Sequence, residues 1–289
     1  MQQYLDLLQK VKNKGKLKKS RTGTDTFSIS GAMFEHDMCD GFPLLTTKRM
    51  GMRDVAKELD FFIQGRSDKT WLQEHGCHIW DGWANPQKVA YGNDEITKFH
   101  MREEPDLGRI YGVQWRNWRG AKVAPDGTIS LVHIDQLKNA IDTLRTDPTS
   151  RRLLVEAWNP ADLDEMALPP CHYGFQLLSD GDTLDLLWSQ RSVDTPLGLP
   201  YNLASYALLL KLIAASVGQV AGKLIGFLAD VHIYRDQMEG VEEQLTRSPL
   251  KLPELLLPQS FSDVLRWDYK QFALEGYQHL LKITFPLSI

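Results

Sequence analysis

The sequence predicts an α+β fold, and three observations carry that prediction. Apolar residues recur at helical spacing through the first half of the chain, and short apolar runs separated by turn residues follow from residue 153. One later segment, Ala204 to Val217, is apolar on nearly every face, as a long helix buried in the interior of a large domain must be.

Taken in order, Tyr4, Leu8 and Val11 share one helical face, which predicts a helix over residues 2–18. The basic tract Lys10, Lys12, Lys14, Lys16, Lys18 and Lys19 then reads as the solvated side of that helix, running into a mobile loop at Arg21. Val55, Leu59 and Phe62 predict a second helix over 53–65, and residues 85–106 are polar and irregular, like a surface insertion. Leu137, Ile141 and Leu144 predict a third helix from Ile134 to Asp147, ended by Pro148. Leu153 to Val155, Gly174 to Leu178 and Thr183 to Trp188 read as strands, the last two joined by a hairpin at Ser179-Asp180-Gly181-Asp182. Asn202 stands near the start of the apolar helix, where asparagine reads locally as a cap. Leu228 to Tyr234 reads as a strand that points His232 and Tyr234 to one side. No Pro/Gly/Ser linker divides the chain, so a single domain over 1–289 is expected.

Composition narrows the function classes. Of 289 residues, 43% are hydrophobic and 24% charged, and no apolar run approaches the roughly 20 residues of a membrane span. Thirty-three Lys and Arg against 37 Asp and Glu give a net charge of −4, which offers no general attraction to nucleic acid or to an anionic membrane. Three widely spaced cysteines and residues 1–10 without an apolar signal core fit a reducing, cytoplasmic setting.

Chemistry concentrates at Leu168-Pro169-Pro170-Cys171-His172 and, some twenty residues on, Gln190-Arg191-Ser192-Val193-Asp194. Two prolines present a cysteine at a defined angle, and a cysteine becomes a nucleophile where a cation lowers its pKa. Arg191 with Ser192 suits a phosphate, and His172 adds to the picture of an activated thiol beside an anion site. Taken alone, Cys171 also fits a small buried hydrophobe. Arg151-Arg152 reads either as a solvent-facing turn or as a second phosphate clamp, and Glu58 as either a rim charge or a buried proton carrier. Trp80 and Trp83 suit the core or stacking on a flat heteroaromatic ring. No metal-ligand spacing, phosphate-binding P-loop or dinucleotide fingerprint occurs, so no metal is expected.

With these segments in view, the chain resembles the thymidylate synthase family over nearly its full length. The resemblance rests on Arg21-Thr22-Gly23-Thr24, Gly41 to Arg49 (GFPLLTTKR), Ile79 to Trp83, Tyr111 to Trp115 (YGVQW), Ser150-Arg151-Arg152, Ala157-Trp158-Asn159, Met166 to His172 (MALPPCH), Gln190 to Asp194, Leu197 to Tyr206 (LGLPYNLASY) and Asp230 to Tyr234 (DVHIY). It implies that family's α+β fold, with a mixed sheet at a homodimer interface and one long buried helix. It also implies dUMP as substrate and methylenetetrahydrofolate as cosubstrate. Residue by residue, it implies that Cys171 attacks C6 of uracil, and that Glu58 and Asp194 take part in catalysis. Arg21, Gln190, Arg191 and Ser192 would hold the nucleotide, with Arg151 and Arg152 donated by the partner subunit. Asn202 would read the uracil edge, and His232 and Tyr234 the deoxyribose. Trp80, Trp83, Asp194 and the C-terminal Ile289 would bind the folate.

Some positions depart from the family's usual residues: Ser189 for tyrosine before the Gln-Arg-Ser run, Thr195-Pro196 after Asp194, Asp60 for leucine, Ala229 for glycine, and a tail from Tyr277 to Ile289 with Thr284 and Ser288. The expectation from sequence is that these departures gather around the one-carbon intermediate. Because the tryptophans, the nucleophile and the whole nucleotide site are present, the first reading is a thymidylate synthase, a methyltransferase giving dTMP and dihydrofolate. The alternative is a dUMP hydroxymethylase of the phage DNA-modification type, giving hydroxymethyl-dUMP and tetrahydrofolate. Asn202 speaks against dCMP as substrate, and a noncatalytic nucleotide- or RNA-binding regulator is disfavoured by Cys171, Glu58 and the acidic net charge.

Overall fold

The computed structural model describes residues 1–20 and 23–287. From the N-terminus run α1 (Gln2–Lys14), β1 (Lys16–Lys18), β2 (Thr26–Asp37), α2 (Met52–Ile63), α3 (Thr70–Glu74), α4 (Glu95–Glu103) and α5 (Tyr111–Arg116). Then follow β3 (Trp118–Val123), β4 (Ile129–Ile134), α6 (Gln136–Thr146), β5 (Leu154–Glu156), β6 (His172–Ser179), β7 (Thr183–Asp194) and α7 (Gly198–Val217). The chain finishes with β8 (Val220–Tyr234), α8 (Met238–Leu245), β9 (Glu254–Leu256) and β10 (Ala273–Glu275).

Six strands form one mixed sheet in the order β1-β2-β8-β7-β6-β5, with β7 and β8 parallel and the other neighbours antiparallel. A parallel pair needs a crossover, and α7 supplies it between β7 and β8. At 20 residues α7 is long and apolar enough to cross a membrane, yet 67% of that window is buried inside the protein, so it is the core helix. Trp188 from β7 stacks on Tyr206 of α7 at 5.5 Å, and a Cβ on Gly226 of β8 would meet the Trp188 ring at 2.4 Å. Only glycine lets the two strands and the indole share that space.

The register sets Ser192 beside Asp230 and Asp194 beside His232, so the carboxyl ends of the parallel pair and the start of α7 converge. Such a convergence is where open α/β sheets hold ligands. The mixed sheet and its helices match the expected class.

Several boundaries differ from the sequence expectation. The first helix stops at Lys14, because the Gly15 N–H closes on Val11 at 2.8 Å and Lys16–Lys18 pair with β2 instead. Lys16 and Lys18 therefore lie on an edge strand rather than on a helix face. The third helix begins two residues late, since Ile134 pairs with Trp118 in a β3-β4 hairpin and Asp135 caps α6 through the Lys138 N–H. Residues 85–106 are largely exposed, but they hold α4, capped by Asp94, with the Met101 side chain buried. Gly181, at φ +107°, turns the expected hairpin.

Candidate active site

A cavity of about 830 Å³ opens at the convergent ends of β7 and β8. Its residues come from eight parts of the chain. Cys171, set at the start of β6 after Pro169-Pro170, donates its backbone N–H to the Tyr111 hydroxyl at 2.9 Å, and its carbonyl accepts from the Arg191 N–H at 2.8 Å. The Arg191 guanidinium donates to the Pro170 and Pro169 carbonyls at 2.9 and 2.8 Å and lies 5.3 Å over the Trp158 ring. The prolines thus fix both the thiol and the cation beside it.

His172 does not serve as a charged partner of that thiol. Its Nδ1 sits 2.8 Å from the Tyr206 hydroxyl, its ring stacks on Tyr111 at 4.4 Å, and burial brings its pKa down to about 3. The imidazole is neutral packing.

The polar wall includes Arg191, Ser192, Asn202, His232 and Tyr234, joined by Lys18, Lys19 and Asp230. Asp230 accepts from Lys18 at 2.5 Å and from the Ser28 hydroxyl; burial works to raise its pKa, but these donors outweigh it and hold the carboxyl low. Asn202 is not the helix cap. It lies one turn inside α7, whose N-cap is Leu197 with no side-chain cap, and Asp194 accepts from the Leu197 N–H at 3.1 Å just ahead of the helix. Gln190, almost wholly buried, accepts from Trp188 Nε1 at 3.1 Å and donates to Asn202 Oδ1 and the Ser192 carbonyl, each at 3.0 Å. The amide of Asn202 is thereby oriented, with its NH₂ left for a ligand.

The opposite wall carries the aromatic rings. Trp80 Nε1 donates to Glu58 Oε1 at 2.8 Å, and Trp83 meets Trp80 edge to face at 5.8 Å. Burial pushes the Glu58 pKa up to about 7, against the pull of the Trp80 bond. That is where a carboxyl moves protons at neutral pH. Burial likewise raises Asp194, despite the N–H groups of Gln237 and Leu197, and lowers Lys48 to about 7. Gln237 donates to both Asp194 Oδ2 and the Pro286 carbonyl at 3.1 Å, which ties the C-terminal segment to the site.

Cys171, Glu58, Asp194, Gln190, Arg191, Ser192, Asn202, His232, Tyr234, Trp80 and Trp83 all line this one cavity. Arg151 and Arg152 do not; both are exposed before β5. Arg21 and Ile289 lie outside the described residues. Tyr91, Leu287, Lys18 and Tyr111 are in the cavity wall without having been assigned to the site from sequence; Tyr111 had a signal in the YGVQW segment, Lys18 in the basic tract and Leu287 in the departing tail.

The departures named above mostly turn away from the cavity. Ser189 pairs with the half-exposed Phe227 on the outer sheet face, and the phenol beside Cys171 is that of Tyr111. Asp60 points to the Tyr269 N–H at 3.0 Å, Thr195 is fully buried, and the Pro196 carbonyl accepts from Lys48 Nζ at 2.5 Å. Leu287 brings the tail into the wall. Among the described residues, no group of three or more His, Cys, Asp or Glu is arranged to hold a metal ion.

The class that the family match gives to this fold and cavity is a one-carbon transferase of nucleotide biosynthesis. The thymidylate synthase family model matches residues 2–289, essentially the whole chain, and the chain belongs to the thymidylate synthase family.

Proposed function

We propose that the protein methylates dUMP to dTMP, working as a homodimer. The observation that carries this reading is the meeting of Cys171, the oriented amide of Asn202 and the paired indoles in one cavity. The thiolate of Cys171 adds to C6 of the uracil, and C5 becomes nucleophilic. Asn202 accepts from N3–H and donates to O4, a pattern that cytosine does not offer. Arg191, Ser192 and the cations at Lys18 and Lys19 hold the phosphate, while His232 and Tyr234 contact the deoxyribose.

The residues on the other wall fit methylenetetrahydrofolate, since Trp80 and Trp83 offer flat apolar faces and Asp194 a hydrogen-bonding edge. When bound, that cosubstrate supplies the one-carbon unit and the hydride that reduces it. Glu58, poised near neutrality, passes protons at the base, and Trp83 and Leu287 exclude water.

Dimerisation is supported by the outer face of the sheet, where Met33 (64%), Leu154 (50%) and Phe227 (47%) stand exposed. Pairing through that face gives Arg151 and Arg152 a partner's phosphate to reach.

The test is to incubate protein, dUMP and methylenetetrahydrofolate in heavy-oxygen water and weigh the nucleotide. A methyl product with dihydrofolate is expected. A hydroxymethyl product carrying the heavy oxygen, with tetrahydrofolate, would overturn the reading in favour of the hydroxymethylase.

A further inference from the structure

Lys69 has 1% of its surface exposed at the N-terminal edge of α3, and no role above uses it. Its Nζ donates to three backbone carbonyls: Met101 at 2.6 Å, Trp83 at 2.7 Å and Asp81 at 3.3 Å. An ammonium has three N–H donors, so this cage satisfies it with no carboxylate in contact. Burial lowers its pKa, while Asp81, Glu104 and Glu103 act in the opposite direction.

The cage ties together segments that are far apart in sequence. Asp81 and Trp83 belong to the turn that carries both indoles, and Met101 to α4 in the inserted segment. Around it, Gln73 Nε2 donates to Asp81 Oδ1 at 2.9 Å, the Lys69 N–H to the Pro105 carbonyl at 2.9 Å, and the Asn85 N–H closes the base of the insertion on Asp106 at 2.8 Å. The turn then leads directly to the site, because Trp80 holds Glu58 and packs against Trp83.

We propose that Lys69 is a positioning residue: its ammonium fixes the 80–83 turn so that Trp80 keeps its bond to Glu58 and both indoles keep their angle at the cavity wall. An apolar side chain at this position leaves the buried Met101 carbonyl and the part-buried Trp83 and Asp81 carbonyls without this donor, and the turn must shift to rehydrate them. The groups facing Glu58 are Asp54 on its own helix and Cys77, Tyr111 and Tyr201 from the segments packed against it. None of these is a cation. Losing the Trp80 donor therefore drives the Glu58 pKa further up.

The proposal rests on the folate reading for its ligand, but not for its first measurement. In the full chain without ligands, Lys69→Met should raise the Glu58 carboxyl pKa by about one unit, read by ¹³C-glutamate NMR with Glu58→Gln as the assignment control. Trp80→Phe should give the same rise, and the double variant no more than either alone. With substrates, kcat/KM for methylenetetrahydrofolate should fall about tenfold or more while the dUMP Kd stays put. A lowered Tm with an unmoved Glu58 pKa makes Lys69 a mere staple and overturns the proposal. Should Lys69→Met not fold, Lys69→Gln, which keeps two donors, carries the same titration with a smaller rise expected and the same overturning result. A raised Glu58 pKa in a protein that never turns over dUMP upholds Lys69 and sinks the folate reading instead.

Discussion

Asn202 owes its setting to Gln190, which holds the asparagine oxygen and the Ser192 carbonyl with one NH₂ group and is itself held by Trp188. Asn202→Asp should accordingly cut kcat/KM for dUMP by about a hundredfold and bring measurable turnover of dCMP, read in a competition assay with both nucleotides. Cys171→Ala should lose about 10⁴-fold or more in kcat while retaining dUMP binding, since the polar wall stays intact. Cys171, Arg191 and Ser192 were legible in the sequence because a pair of prolines marks the thiol and an Arg-Ser pair some twenty residues on marks the anion site. The neutral state of His172 was not, because adjacency to a cysteine says nothing of the Tyr111 and Tyr206 rings that enclose it. Nor could Ser189 be placed correctly without knowing that its strand turns that side chain toward Phe227.

Among the elements, α2 carries two carboxyls with opposite fates, two residues apart. Glu58 faces the cavity, whereas Asp60, 4% exposed, faces the Tyr269 N–H, and burial pushes its pKa up to about 6. A folded-state pKa above the unfolded value near 4 means that no stability is lost below pH 4 and that the loss grows as pH rises through 6. Asp60→Asn should therefore raise stability by about 1–3 kcal/mol at pH 8 and leave it unchanged at pH 4, as urea melts at the two pH values will show. Helices α2 and α7 and the β6-β7 hairpin were legible because their periodicity and turn residues agree with their burial. The β3-β4 hairpin was not, for none of its strand side chains is buried and no alternation marks the strands. β1 was hidden for a similar reason, as all three residues of this lysine-rich strand are exposed and leave no apolar pattern to mark it.

For the whole molecule, the separation of Arg151 and Arg152 from the cavity of their own chain is the main feature. If each subunit completes its partner's site, mixing Cys171→Ala with Arg152→Ala protein should restore about one quarter of wild-type activity, because half the dimers are mixed and each of those holds one intact site. Mixtures no more active than their parents would show that the arginines act elsewhere. The donation across subunits is an expectation from family resemblance alone, since no property of a single chain encodes what a second copy brings. The parallel pair β7 and β8 has a further consequence, for the order in which the site is assembled. Cys171, Gln190, Asn202 and His232 all fall between residues 171 and 234, within one sheet and its crossover helix. Glu58, Trp80 and Leu287 must be gathered from both distant ends of the chain, which closes much longer loops and comes later. If the cradle forms first, its thiol stands open to oxidants until the indoles and the tail arrive, and Cys171 should then be alkylated faster during refolding than in the native protein.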